Sequence, residues 1–390
     1  MSHPIPRPSS TTATLLLLCP FDLLASLAMD LYLPALPRVT TDLSATTAQI
    51  QASLTLYLVL IGAGQLLFGP WSDRIGRRPV LLGGGMVYAL ASLMLALSTH
   101  IDGFLFWRVI QALGASACLV AVFAGVRDLY GDQPQAQRLY AQLAALLVLV
   151  PALGPLLGAV LTAAAGWPVL FLVLAAAMAL ALTRAARHWP ETRPATAAHP
   201  GRLWTPLRHR HFWAYLWAYS AAMGAFFLFF STSPWLLMER HGLPPWQFSL
   251  LFASVALVMA SVAWRRGRQR HTPPLHRTAR WAMVWLASGG ALLLVSEYAY
   301  PKQWLGLMLP MWWIAVGIAM ASSVALHGAL QQLDHMAGTA TAVFFCLGGA
   351  LIGATSSALL QLLPTHSHWP LALYCLLWPL LCLALLRDPH

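Results

Sequence analysis

The sequence predicts an all-α membrane protein of twelve transmembrane helices arranged as two six-helix bundles, and three observations carry that prediction. Hydrophobic residues make up 59% of the 390 residues and charged residues 9%, with a mean hydropathy of +0.66, whereas a soluble domain carries about 25% charged residues. Apolar runs of bilayer length, about 20 residues at roughly 1.5 Å each, recur about twelve times. The basic residues are 22 arginines and the single lysine Lys302, gathered in short clusters between those runs. A pI near 10 could point to nucleic acid, but this spacing reads as the loops of a membrane protein.

Taken in order, the first span covers residues 12–36, beyond Arg7, and carries Pro20, Asp22 and Asp30. Its start, LLLLC followed by ASLA, mimics a signal peptide, but the apolar run resumes past Asp30 to Pro37, so a retained span is expected. The second span, 48–69, ends at a glycine and arginine loop; the third is 80–98, and the fourth, 104–126, contains Arg108. Pro151 and Pro155 interrupt the fifth, 137–162, and the sixth is 167–186. Residues 187–210 (RHWPETRPATAAHPGRLWTPLRHR) hold four prolines and five arginines without apolar period, which marks a linker at the membrane surface. The expected organisation is therefore a bundle over 1–186, the linker 187–210 and a second bundle over 211–390. The seventh span, 211–237, is rich in serine and aromatics, and the remainder are 246–265, 280–299, 304–328, 337–362 and 368–386.

Alternating the loops places 19 arginines on one side; the other holds Arg38, Arg240 and Lys302. By the positive-inside rule both termini are expected to be cytoplasmic. The five cysteines all lie within apolar runs without a CxxC pair, so free thiols are expected, with no disulfide and no zinc site. Two His-x-His pairs, His209 with His211 and His366 with His368, sit at loop edges with no acid or cysteine near enough to complete a metal site. No metal and no catalytic residue is predicted.

Four stretches carry chemistry. The first is FDLLASLAMDLYLP, residues 21–34. Each ionised acid near a bilayer centre costs roughly 2.5 to 3.5 kcal/mol, so Asp22 and Asp30 are expected to pair, titrate or line a cavity. Eight residues apart, they lie about 12 Å apart along a helix and about 80° around it, so both can face one cavity at different depths. Structural, hydrogen-bonded acids are the alternative. The second is GPWSDRIGRRP, residues 69–79. Gly69 and Gly76 permit a tight turn at the membrane edge, and Asp73 is placed to cap a helix N-terminus and to pair with an arginine across the bundles; a purely topogenic arginine loop is the alternative. In FWRVIQALGASA, Arg108 stands one turn before Gln111, with a guanidinium that stays charged and presents a fixed positive field; the alternative is snorkelling to the interface. In PALGPLLGA, residues 151–159, Gly154, Pro155 and Gly158 remove side-chain bulk and a backbone donor and let a neighbouring helix approach; an ordinary small-residue packing face is the alternative.

These stretches carry a resemblance. GPWSDRIGRRP is similar to the GxxxDRxGRR loop of the major facilitator superfamily at Gly69, Asp73, Arg74, Gly76, Arg77 and Arg78. The fourth span resembles that family's RxxQGxG pattern, with Ala112 in place of the first glycine, and GPLLG resembles the GPxxG motif of its drug:proton antiporters. Together with MDLYLPALP, FFLFFSTSP (226–234) and LPMWWIAVGIA (309–319), the chain resembles the chloramphenicol and florfenicol exporters of the Bcr/CflA group. It departs from them in its lysine-poor loops and in HGALQQLDH, residues 327–335. The resemblance implies the major facilitator fold, with a cavity between the two halves near the midplane, and a bacterial inner-membrane protein that expels amphiphilic phenicol-type drugs in exchange for protons. A broader multidrug exporter, a proton-coupled metabolite importer and a non-transporting receptor are the alternatives.

On this reading the protein is not an enzyme, uses no cofactor, binds protons, drug and the lipid bilayer but no nucleic acid, and acts as a monomer. No GxxxxGK[ST] sequence is present to bind ATP. Asp30 is the expected main proton carrier, with Asp22 assisting and Arg108 tuning both; residues 69–78 form the expected gate. Spans seven to eleven hold no acid at mid-depth, since Glu239, Glu297 and Asp334 fall at ends, and supply aromatic rings instead. Tyr32, Gln111, Tyr219, Phe226, Phe230 and Trp312 are the candidates for lining a drug cavity.

Overall fold

A computed structural model describes residues 11–131, 133–193, 205–268, 273–300, 303–331, 333, 337–364 and 367–385. The linker centre (194–204), Arg7, Lys302, Asp334, His366 and Arg387 lie outside the described residues. Among those described, every regular element is helical. Eleven segments among the described residues are long and apolar enough to cross a membrane. The twelfth helix, α13 (Trp369–Leu385), has 17 residues, slightly short of the roughly 20 that a bilayer asks for, and it ends where the described residues end.

The chain forms two units, Met1–Pro200 and Gly201–His390. Unit 1 contains α1 (Thr11–Asp30), α2 (Leu36–Asp42), α3 (Thr47–Ile75), α4 (Arg77–Ala96), α5 (Ile101–Tyr130), α6 (Pro134–Ala165) and α7 (Pro168–His188). Unit 2 contains α8 (Arg210–Pro234), α9 (Pro245–Gly267), α10 (Leu275–Ala299), α11 (Leu305–Leu330), α12 (Ala337–Leu362) and α13. The helix packing of unit 1 pairs α4 with α5 and α7, α3 with α5, and α1 with α5, α6 and α7; unit 2 repeats the scheme with α10 on α11 and α13, α9 on α11, and α8 on α11, α12 and α13. One six-helix pattern is thus used twice, as expected of parallel repeats.

Local chemistry sets the ends. Thr46 accepts from the Gln49 N–H while the Gln49 side chain accepts from the Thr46 N–H, a reciprocal cap that starts α3. Proline stands in the first turn of α6, α7 and α9, where no helical donor is needed. Gly131 and Gly166 end α5 and α6 with positive φ.

Two boundaries differ from expectation in ways that shape the site. The first span is not one helix: α1 ends at Asp30, a two-residue turn and a 3₁₀ turn (Leu33–Ala35) follow, and α2 resumes. Pro34 explains the break, because it has no N–H to donate to the Asp30 carbonyl and its ring clashes with that carbonyl. The fifth span, by contrast, runs unbroken through Pro151 and Pro155 as α6. In unit 2, α8 passes into a π-helical turn, Trp235–Arg240, a wide turn frequent at functional positions.

Candidate functional site

Asp30 closes α1 at the break in the first span, and Asp22 lies two turns earlier within α1. Asp22 is 2% exposed and Asp30 7% exposed, and Asp22 Oδ2 and Asp30 Oδ1 are buried without a hydrogen-bond partner. The break is pressed against α6 at the GPLLG segment. A Cβ on Gly154 would stand 2.7 Å from the Asp30 Cβ, and one on Gly158 would collide with the Leu31 carbonyl. Glycine at these two positions is therefore what lets α6 touch the Asp30 turn. The two sequence stretches, residues 21–34 and 151–159, form one site.

Arg108 lies on α5 behind the same helix and is fully buried, so it does not snorkel. Its Nη1 donates to the Ala28 carbonyl (3.1 Å) and to Gln111 Oε1 (2.8 Å). Gln111 Nε2 donates to Ser92 Oγ at 2.8 Å, and Ser92 Oγ donates to the Tyr88 carbonyl at 2.7 Å. Tyr57 and Tyr88 hydroxyls donate to the Ala25 and Leu24 carbonyls of α1 at 2.7 and 2.6 Å. The guanidinium carbon sits 5.0 Å from the Tyr32 ring centre, 4.8 Å from Tyr57 and 5.8 Å from Phe171, a cation–π cage. Its Nε and Nη2 are buried without a hydrogen-bond partner. Among the described residues no ion pair joins Arg108 to Asp22 or Asp30. Direct pairing with the acids is thus replaced by a carbonyl, an amide and aromatic faces.

At the ends of α3, α5 and α7 the 69–79 loop is built differently from its sequence reading. Gly69 and Asp73 lie within α3, which continues to Ile75, and only Gly76 turns, with φ +111. Asp73 is accordingly not a helix cap. Its observed partner is Arg77 of the same unit, at 2.6 Å, and Arg77 Nε also meets Asp128 Oδ2 of α5 at 2.6 Å, with both side chains almost wholly buried. The start of α4 is capped by Glu191 instead, which accepts from the Arg77 N–H (2.8 Å) and the Arg78 N–H (3.2 Å). Arg74 contributes its carbonyl, which accepts from Arg193, and Arg78 donates to the Ala186 carbonyl. Asp128 and Glu191 were missed because neither belongs to the motif. Each is nevertheless an acid among arginines just beyond a span, in GVRDLYGD and HWPETR, and in a chain with 12 acids that is a usable signal.

The cavity candidates are dispersed. Tyr32 is buried between Phe104 (5.7 Å) and Phe171 (5.6 Å), beneath Arg108, and Gln111 is bound into the Arg108 network. In unit 2, Phe226 and Phe230 belong to a cluster with Phe227, Phe229, Phe248 and Phe252. Phe230 is interior packing there, while Phe226 is half-buried. Tyr219 packs on Phe344 (5.1 Å) and Phe345 (5.8 Å), and Trp312 donates to Ser254 Oγ at 2.8 Å.

A repeated six-helix pattern with a buried arginine network in the first repeat and an arginine–acid cluster at the 69–79 loop defines a class of membrane protein. The sequence profile of the Major Facilitator Superfamily matches residues 19–381, and the chain belongs to that family. It is 48% identical to the chloramphenicol resistance protein of Pseudomonas aeruginosa, covering 94% of this chain and 88% of the relative. It is 30% identical to the multidrug resistance protein MdtL of Klebsiella pneumoniae (strain 342), covering 85% and 84%. Solved structures share the fold at low identity. A bacterial homologue of the human lysosomal transporter Spinster aligns with TM-score 0.73 at 11% identity, over 98% of this chain and 96% of that one. A POT family transporter in complex with a thioalcohol-conjugated peptide aligns at 0.78 and 12%, over 95% of each. The chain is an integral membrane protein of a transporter family.

Proposed function

We propose that the protein expels phenicol-type antibiotics, chloramphenicol and florfenicol, across the bacterial inner membrane in exchange for protons by alternating access, as a monomer with both termini in the cytoplasm. The observation that carries the exchange is the pair of buried carboxyls at the broken first span, each with an oxygen lacking a partner. In low dielectric a carboxylate must be paired or take up a proton, so such a group changes state with what enters beside it. Asp30, at the break itself, is the main carrier, and Asp22 assists. No cofactor is needed, since the gradient supplies the energy. The phenicol assignment leans on the Pseudomonas relative, whose name is chloramphenicol resistance protein. MdtL at 30% identity favours a second reading, a broader multidrug spectrum.

A resistance profile in a bacterial host stripped of its own pumps tests both. Expression should raise the inhibitory concentrations of chloramphenicol and florfenicol more than those of chemically unrelated drugs. Unchanged values for both phenicols, with the protein shown in the membrane, would sink the proposal, and an even rise across classes would favour the broader spectrum.

A further inference from the structure

The first residues beyond α7 hold the 69–79 loop through one carboxylate. Glu191 Oε1 accepts from the N–H groups of Arg77 (2.8 Å), Thr192 (3.0 Å) and Arg193 (2.9 Å), and Oε2 from the N–H of Arg78 (3.2 Å). Four backbone donors on one side chain is an unusual concentration, since a carboxylate has about four lone-pair positions in all. Two of those donors are the orphan N–H groups that open α4, where a negative charge also meets the positive end of the helix. The fit extends to Gly76, where a Cβ would run into the Glu191 carboxylate, and its φ of +111 lies in the left-handed region that favours glycine. Two further bonds run the same way: Arg193 donates to the Arg74 carbonyl and Arg78 to the Ala186 carbonyl. The loop is thereby tied on both sides of Gly76 to the segment where the linker begins.

We propose that Glu191 is a positioning residue for transport: it latches the beginning of the linker onto the loop and sets the direction in which Arg77 leaves the turn. Arg77 is the group affected because its backbone N–H is held by Glu191 while its guanidinium reaches Asp73, Asp128 and Ser72. A change in the 69–79 loop and a change in the linker then require the two bonds from the Arg77 and Arg78 N–H groups to Glu191 to break or to travel together. The inference rests on the transport reading above only for its functional consequence, and the latch itself is testable without any drug.

Glu191→Ala removes all four acceptors. Glu191→Gln retains the Oε1 set but turns an amide donor toward the Arg78 N–H and removes the charge, so it serves if the alanine variant does not fold. Hydrogen–deuterium exchange of the full-length protein in detergent reads the latch directly. The segments containing Arg77, Arg78 and Arg193 should exchange at least tenfold faster in the variant, with helices elsewhere unchanged. Chloramphenicol affinity should stay within about twofold while proton-driven export falls tenfold or more, a split that general loss of fold would not give. Unchanged exchange at those amides would overturn the latch, and faster exchange with undiminished export would overturn its role in transport. Absence of phenicol export in the wild type would defeat the function proposed above and leave the latch to stand or fall on the exchange result.

Discussion

Asp30 and Arg108 each keep buried polar atoms without a hydrogen-bond partner, and the proposed exchange draws on both. Arg108 Nη1 reaches the carbonyl of Ala28, two residues before Asp30, so the two groups are joined through the backbone of α1 without an ion pair between them. Tyr57 and Tyr88 hold the Ala25 and Leu24 carbonyls of the preceding turn. Asp30→Asn is therefore expected to abolish proton-driven export, Asp22→Asn to weaken it or shift the drug range, and Arg108→Ala to impair both coupling and drug binding. The decisive measurement is proton release on adding drug to the purified protein. Release that persists undiminished in Asp30→Asn would show that another group carries the proton. The residues of this site were readable because each is an exception to its surroundings: a charge in an apolar span is visible in any sequence. Their partners were not. That Arg108 rests on Tyr32, Tyr57 and Phe171 depends on packing between helices, and the role of Glu191 depends on a contact spanning more than a hundred positions of sequence, which no local pattern encodes.

Among the helices, the contact of α6 with the break in the first span is a matter of a few ångströms. Larger residues at Gly154 or Gly158 must push α6 away from Asp30 and Leu31, and overpacking of this kind costs about 1 to 3 kcal/mol. Gly158→Val should lower export at least tenfold and lower the thermal midpoint, whereas Ala159→Val, one residue on at a largely buried position without glycine's close approach, should affect export less. Equal effects at the two positions would count against the contact.

A second meeting of elements lies at the ends of α8, α10 and α13. Arg240 on the π-helical turn is 3.1 Å from Glu297 of α10, and His368, just before α13, has its Nδ1 3.0 Å from the same carboxylate. Burial lowers the His368 pKa from 6.5 to about 4; Glu297 opposes this, while Arg240 and His241 add to it. Because Arg240 already balances Glu297, a proton on His368 is surplus positive charge. A histidine whose folded pKa is depressed contributes its stability above about 6.5 and loses it as pH falls toward 4. Acidification from pH 7 to 5 should thus lower the thermal midpoint of the purified protein, and His368→Asn should remove part of that fall, on the order of 1 to 3 kcal/mol. The same slope in both proteins would exonerate His368.

At the scale of the whole chain, the apolar runs and their spacing made the twelve-helix plan legible, because a bilayer imposes one length on every span. The break after Asp30 was less so, although Pro34 was in view: proline is tolerated within α1, α3, α6, α8, α11 and α13, so its presence alone does not say which helix will stop. The energy of exchange is also a property of the whole molecule. If one proton enters for each neutral phenicol expelled, one positive charge crosses the membrane per cycle, and 100 mV then supplies about 2.3 kcal/mol, enough for a drug gradient of roughly fiftyfold. Unit 2 offers no acid at mid-depth in spans seven to eleven, so the proposed charge movement rests on the first-span carboxyls. Export from proteoliposomes, measured at equal pH on both sides with the potential set by a potassium gradient and an ionophore, should therefore accelerate when the cytoplasmic side is made negative. Asp30→Asn should lose that response along with export. A rate indifferent to potential in the wild type would mean that a second charge moves with the drug or that the exchange involves no net charge, and one proton per neutral drug would be excluded.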